Sequence, residues 1–179
     1  MSDCAVIVCA LDATASDAPA RAAMARAWLL ERGVVAPNPT PGHAAQPSEF
    51  LAGPRAIEIA SGFYDESNRS MANNGVDVLC ARAVHHPVAN YELPRCAGCD
   101  VPAEDAADLF PDWLEGDEPL VTCAACGKAG PLGDWPGRFN GYVAEIAVRF
   151  NNWHGLSDAF LAELGTVLGA RWRVVHEHL

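Results

Sequence analysis

Four of the seven cysteines stand in two matched pairs, Cys96-x-x-Cys99 and Cys123-x-x-Cys126, with 23 residues between the pairs. Two residues between thiols let both sulfurs reach one tetrahedral ion at about 2.3 Å without strain. Gly98 lies inside the first pair, and Gly127 follows the second, where such a turn needs positive φ. Backbone N–H groups in these turns can bond the thiolates and offset their charge. Four thiolates close the coordination shell and leave no open position for chemistry, so the expected ion is one structural Zn2+ per chain. Disulfides or a redox Cys-x-x-Cys are the competing chemistry, and two pairs at this spacing argue against both.

The arrangement resembles the zinc ribbon, a minimal Cys4 fold, over about residues 93 to 135. Leu120-Val121-Thr122 suits the incoming strand of a ribbon hairpin. The resemblance implies that Cys96, Cys99, Cys123 and Cys126 fill the four ligand positions. It implies nothing specific about function, because ribbons occur in transcription factors, ribosomal proteins, enzymes and assembly factors alike. Nucleobase deaminases also use a Pro-Cys-x-x-Cys run, but they need an upstream His/Cys-x-Glu triplet. None precedes Cys96.

The stretch between the pairs carries Asp100, Glu104, Asp105, Asp108, Asp112, Glu115, Asp117 and Glu118 and no cation, with Leu109, Phe110, Trp113 and Leu114 interleaved. A divalent ion with four thiolates adds further negative charge. This composition suits a docking surface for a basic protein, with Phe110 and Trp113 as anchors and Asp112, Glu115, Asp117 and Glu118 as steering charges. The plainer alternative is a solvated loop whose aromatics cover the ribbon. A second candidate is the polar-aromatic turn Asn151-Asn152-Trp153-His154, which could line a small-molecule cleft at a helix N-terminus. His85-His86 and His176/His178 could bind metal or move protons, but neither pair has an identifiable partner in sequence. No nucleophile elbow, phosphate loop, dinucleotide glycine pattern or His-Glu-x-x-His motif is present.

Lys plus Arg is 12 against 23 Asp plus Glu, giving a net charge of −11. Such a surface repels nucleic-acid backbones and anionic lipids. No apolar run is long enough to span a membrane, and Met1-Ser2-Asp3-Cys4 does not open a secretory signal. The expectation is a cytoplasmic protein, alanine-rich in the manner of a high-GC bacterial genome, with Cys4, Cys9 and Cys80 as buried small hydrophobes.

The elements that must position these groups are readable in part. Cys4–Ala10 is a continuous apolar run and predicts a buried strand. Ser16 or Asp17 can cap a helix running to Arg32, with Ala20, Met24, Ala27, Trp28 and Leu30 on its apolar face and Gly33 as its stop. The pattern then predicts a loop over Pro37–Pro54, a strand over Arg55–Ala60, a polar turn region over Ser61–Gly75 and a strand over Val76–Val84. After the insert it predicts a strand over Tyr142–Phe150, a helix capped by Ser157 and ended by Gly169, and a final strand from Arg171. The order implies an α+β fold: a ferredoxin-like split βαβ mixed or antiparallel sheet with two helices on one face and an inserted zinc ribbon. Residues 1–90 and 139–179 form the two halves of the core, and 91–138 the insert, packed as a satellite. Val6, Val8, Trp28, Ile146, Val148, Leu164 and Trp172 are the expected core.

Two functional readings follow. The preferred one, given the charge and the missing catalytic set, is a non-enzymatic acidic protein-binding module; an inhibitor or immunity protein for a basic toxin is one such protein. The other is an enzyme or small-molecule binder with a cleft near Asn151–His154 and a purely structural zinc.

Overall fold

The computed structural model describes residues 4–61, 73–137, 140–153 and 155–178; most of the 61–75 turn region, and His154, lie outside them. In chain order the elements are β1 (Cys4–Ala10), α1 (Ala18–Glu31), β2 (Val35–Pro37), β3 (Phe50–Ala52), α2 (Ala56–Ile59), β4 (Gly75–Leu79) and β5 (Ala83–His85). There follow α3 (Phe110–Glu115), β6 (Leu120–Thr122), β7 (Ala129–Pro131), β8 (Tyr142–Ala144), β9 (Ile146–Asn151), α4 (Asp158–Leu168) and β10 (Trp172–His178). Six strands form one sheet in the order β10-β1-β9-β4-β3-β2, antiparallel at every pairing. The fold is α+β.

β1 is an interior strand, between β10 and β9, and is buried on both faces. Val6, Val8 and Ala10 point to one side, where α1 and α4 cover them together with Leu29, Phe150, Trp153, Phe160, Leu164 and Leu168. Ala5, Ile7 and Cys9 point to the other, against Trp113, Leu132, Tyr142, Ala147 and Val175. A strand covered on both sides has no polar face to show, which explains the unbroken apolar run in its sequence. All seven expected core residues belong to or pack against the helix-side cluster.

Several elements depart from the periodicity reading. The buried face of α1 is Ala18, Ala22, Ala25 and Leu29, while Met24 and Leu30 are exposed. An alanine-rich helix has weak contrast between its faces, and the small side chains are those that let it approach the sheet. Asp17 sits at the N-cap position but its carboxylate accepts from the Thr14 N–H at 2.7 Å and pairs with Arg21 instead of capping. Arg55–Ala60 is not a strand. Its centre is the single helical turn α2, whose buried residues Ala56 and Ile59 are three apart, a spacing that fits a helix as well as the alternation fits a strand. The proline-rich stretch expected as a loop carries β2 and β3 at its two ends.

The long strands expected over Val76–Val84 and Tyr142–Phe150 are each broken. β4 and β9 stay in the large sheet, whereas β5 and β8 pair with each other in a separate ribbon. Arg82 and Glu145 stand at the two breaks and form an ion pair of 2.9 Å, so the two bends are fixed to each other. Cys80, expected to be buried, lies just beyond the end of β4 and is exposed; Cys9 is buried and Cys4 half-buried. Burial pushes the Cys9 thiol far up, so it behaves as a hydrophobe.

The insert is more than a satellite. Only the cysteine turns, with Cys96, Cys123 and Trp135, form a separate small cluster. Trp113 and Leu132 are part of the second core on β1. Trp113, expected as a partner anchor, is 3% exposed, because the sheet face opposite the helices needs an apolar cover. Trp113→Ala is therefore expected to cost about 3–5 kcal/mol of stability in chemical denaturation, the range for truncating a buried Trp; a loss below 1 kcal/mol would show that the ring is dispensable to the core.

Candidate metal centre

Two hairpin turns bring the four cysteines together. In the first, the Cys96 N–H donates to the Val101 carbonyl and the Asp100 N–H donates to the Cys96 carbonyl, both at 2.8 Å. In the second, Cys123 N–H to Lys128 O and Gly127 N–H to Cys123 O repeat the pattern at the same 2.8 Å. The residue after each second cysteine is left-handed, Asp100 at φ 60° and Gly127 at φ 73°. Glycine meets this need at one turn. At the other, aspartate does, being among the side chains that tolerate the conformation best. Gly98 has a different reason to be glycine: a Cβ there would lie 3.3 Å from the Lys128 stem and 3.5 Å from the Cys126 sulfur.

The sulfurs of Cys96 and Cys126 are 3.5 Å apart, as are those of Cys99 and Cys123, and all four lie within 4.8 Å of one another. A tetrahedral ion with bonds of about 2.3 Å holds its sulfurs roughly 3.8 Å apart, so the cage fits one ion. The Gly98 N–H donates to Cys96 Sγ at 3.3 Å and pulls that thiol down to about 6. A backbone bond from Cys126 lowers Cys123. Cys99 moves the other way: a backbone bond from Val101 pulls it down, but hydrogen bonding to Cys123 and partial loss of water around the sulfur push it up to about 12. Thiolates this close repel, and a cation among them is what would let all four ionise. Cys96 and Cys123 are buried on the Trp135 side, while Cys99 and Cys126 are exposed.

Arginines from the core clamp the insert. Arg82 donates to the carbonyls of Trp113 at 2.6 Å and Leu114 at 2.8 Å, and to that of Gly116, which closes the C-terminal end of α3. Arg171 pairs with Glu118 and, at 2.8 Å, with Asp134. Arg173 pairs with Asp134 at 2.7 Å and donates to Gly133 O at 2.8 Å. Sequence reasoning missed these three arginines, because their partners are distant in the chain. Trp135 lies within residues 93–135, the span expected to form a ribbon, and could have been found as apolar backing for the cysteine turns.

The residues expected to meet a partner divide. Asp112, Glu115 and Asp117 are exposed. Phe110 is half-buried, stacked on Trp113 at 6.1 Å and edge-on to Tyr91 at 6.2 Å. Glu118 is turned inward, accepting from the Gly133 N–H at 2.6 Å besides holding Arg171. The expected cleft residues have structural employment. Asn151 donates to Ser48 Oγ at 2.9 Å and Asp77 at 2.7 Å and accepts from Arg149 at 2.7 Å. Asn152, at φ 58°, bonds the N–H of Cys4 at 3.2 Å. Trp153 is buried against Phe150. His176 and His178 are exposed and His86 likewise, whereas His85 is buried with no hydrogen-bond partner at Nε2.

No family model, curated protein or solved structure matches the chain. None of the described helices is long and apolar enough to cross a membrane.

Elemental analysis is expected to find one metal ion per chain, and Cys123→Ser to lose it together with the fold of the ribbon tip. Two disulfides by mass and no metal would end this assignment. His85 yields a pH expectation. Burial first, then the Arg149 charge, holds its pKa near about 4 against 6.5 when unfolded. The unfolded chain thus binds the extra proton between those values, and stability falls as pH drops from 6.5 to 4. The loss is about 3 kcal/mol, on top of any acid release of metal. His85→Gln removes this component alone, and parallel pH curves for the two proteins would refute it.

Proposed function

We propose that the protein is a zinc-stapled, acidic protein-binding module whose partner is a basic protein, and that the ion in the Cys4 cage is Zn2+ in a structural role. Four thiolates in a closed tetrahedral set favour zinc over harder ions and leave no site for substrate. The ribbon reading of residues 93–135 rests on the two matching hairpin turns. The ferredoxin-like reading of the sheet rests on the order of four strands, β10-β1-β9-β4: the chain passes from β1 through α1, and then the edge strands β2 and β3, to β4, and from β9 through α4 to β10, with one strand between the ends of each passage.

One observation carries the functional reading. Every described arginine is paired with a carboxylate. Among the described residues, nine exposed acids have no such pair: Glu31 and Asp158 on the helices, and Glu92, Glu104, Asp105, Asp108, Asp112, Glu115 and Asp117 on or beside the insert. The negative excess is therefore concentrated on the insert and its approach, where it would steer a cationic partner. An inhibitor of a basic toxin is a protein of this kind. Nucleic acid and anionic membranes would be repelled.

The test begins with a partner co-purified from the native host and measures its association by biosensor. Asp112→Asn, Glu115→Gln and Asp117→Asn combined are expected to slow association about tenfold at low salt and to flatten its salt dependence, leaving the melting temperature nearly unchanged. A partner indifferent to these changes would remove the acidic surface from the account.

A further inference from the structure

Beside the acids lies an apolar groove of about 440 Å3, lined by Val84, His86, Tyr91, Ala107, Phe110 and Pro111. It forms where β5 and the segment after it meet the start of α3. Its volume falls in the range of roughly 300–1,000 Å3 that accepts a ligand or a few anchoring side chains. The walls are firm. Phe110 is backed by the buried Trp113 ring, and Gly141 brings the backbone so close that a Cβ there would lie 3.0 Å from both Phe110 Cζ and His86 Cβ. The apolar floor is therefore present before any partner arrives.

The chain around the groove is negative. Three lining residues are each followed directly by an exposed acid without an ion pair: Tyr91 by Glu92, Ala107 by Asp108, Pro111 by Asp112. The nearest arginines in the chain are occupied, Arg82 by Glu145 and Arg95 by Asp100. A hydrophobic floor with exposed acids next to its lining residues complements one kind of occupant, an apolar side chain carried between cationic ones. A second copy of this chain, at net charge −11, would set acids against acids, and anionic lipid or nucleic acid would meet the same repulsion.

We infer that this groove docks a segment of a basic protein through a large apolar anchor flanked by Arg or Lys. The inference rests on the proposed function and names the place where affinity, as opposed to steering, is generated. Buried anchors in preformed pockets dominate binding energy, while rim charges act mainly on association.

The test is a selection of random decapeptides displayed on phage against the intact metal-loaded protein, followed by affinities of the enriched peptides by fluorescence anisotropy. Enriched sequences are expected to combine Arg or Lys with Leu, Ile, Phe or Trp. Ala107→Arg, an exposed change that fills the groove and reverses its charge, is expected to weaken them at least tenfold. Phe110→Ala is expected to do the same provided circular dichroism and metal content match the parent. Replacing the peptide's apolar residue by Ala is expected to lose a similar factor. If enriched cationic peptides lose affinity with Asp108→Asn and Asp112→Asn but ignore both Ala107→Arg and loss of their apolar residue, the groove is wrong and the acidic docking surface stands. If no cationic sequence is enriched at low salt, both are overturned.

Discussion

Burial of β1 on both faces is the constraint on which the rest of the molecule depends. A strand of seven apolar residues inside a sheet cannot leave either face to water, and each face must find a cover. On one side α1 and α4 provide it, with alanines close to the sheet and Phe160, Leu164 and Leu168 filling the space between. On the other side no long helix is available among the described residues. The chain covers that face with β8, the short α3 and the turn at Leu132, all in or bordering the cysteine-rich insert.

A cover made of short pieces has little stability of its own. α3 is six residues long, far below what an isolated helix needs. Its ends and neighbours are held from outside: Arg82 takes its terminal carbonyls, Arg171 and Arg173 hold Glu118, Asp134 and Gly133, and the four thiols hold the distal tip. The cysteine cage and the arginine clamps thus hold the same lobe, and they adjoin at Asp134 and Trp135. The proposed zinc would fix the turns, and the arginines would fix the lobe to the sheet.

The clamps also decide where the net charge appears. Arginines committed to intramolecular carboxylates cannot neutralise anything else, and the acids left over belong mostly to the insert. A chain of net charge −11 becomes a molecule whose unpaired acids lie mostly on the insert, next to the groove floored by Phe110. The glutamate drawn into the clamp, Glu118, and the tryptophan drawn into the core, Trp113, look in sequence no different from Asp117 and Phe110 beside them. Their roles diverge because the sheet face needs one ring and Arg171 needs one carboxylate.

What the sequence by itself determined is local. The Cys-x-x-Cys pairs make a cage that could hold a metal ion, because thiol spacing within a tight turn is a property of a few bonds. The apolar run of β1 and the Ser157 cap, which accepts the Phe160 N–H at 3.4 Å, are likewise set by near neighbours. Gly127 could be assigned its left-handed turn for the same reason. Tertiary structure decided what depends on distant partners: the buried face of α1, where alanine gives no contrast; the helical turn at Ala56–Ile59, where both periods fit; and the breaks at Arg82 and Glu145, which exist because residues 63 apart pair with each other. It also decided that the insert is half of the core cover, since periodicity reports that a strand has two apolar faces but not which segment will lie against each.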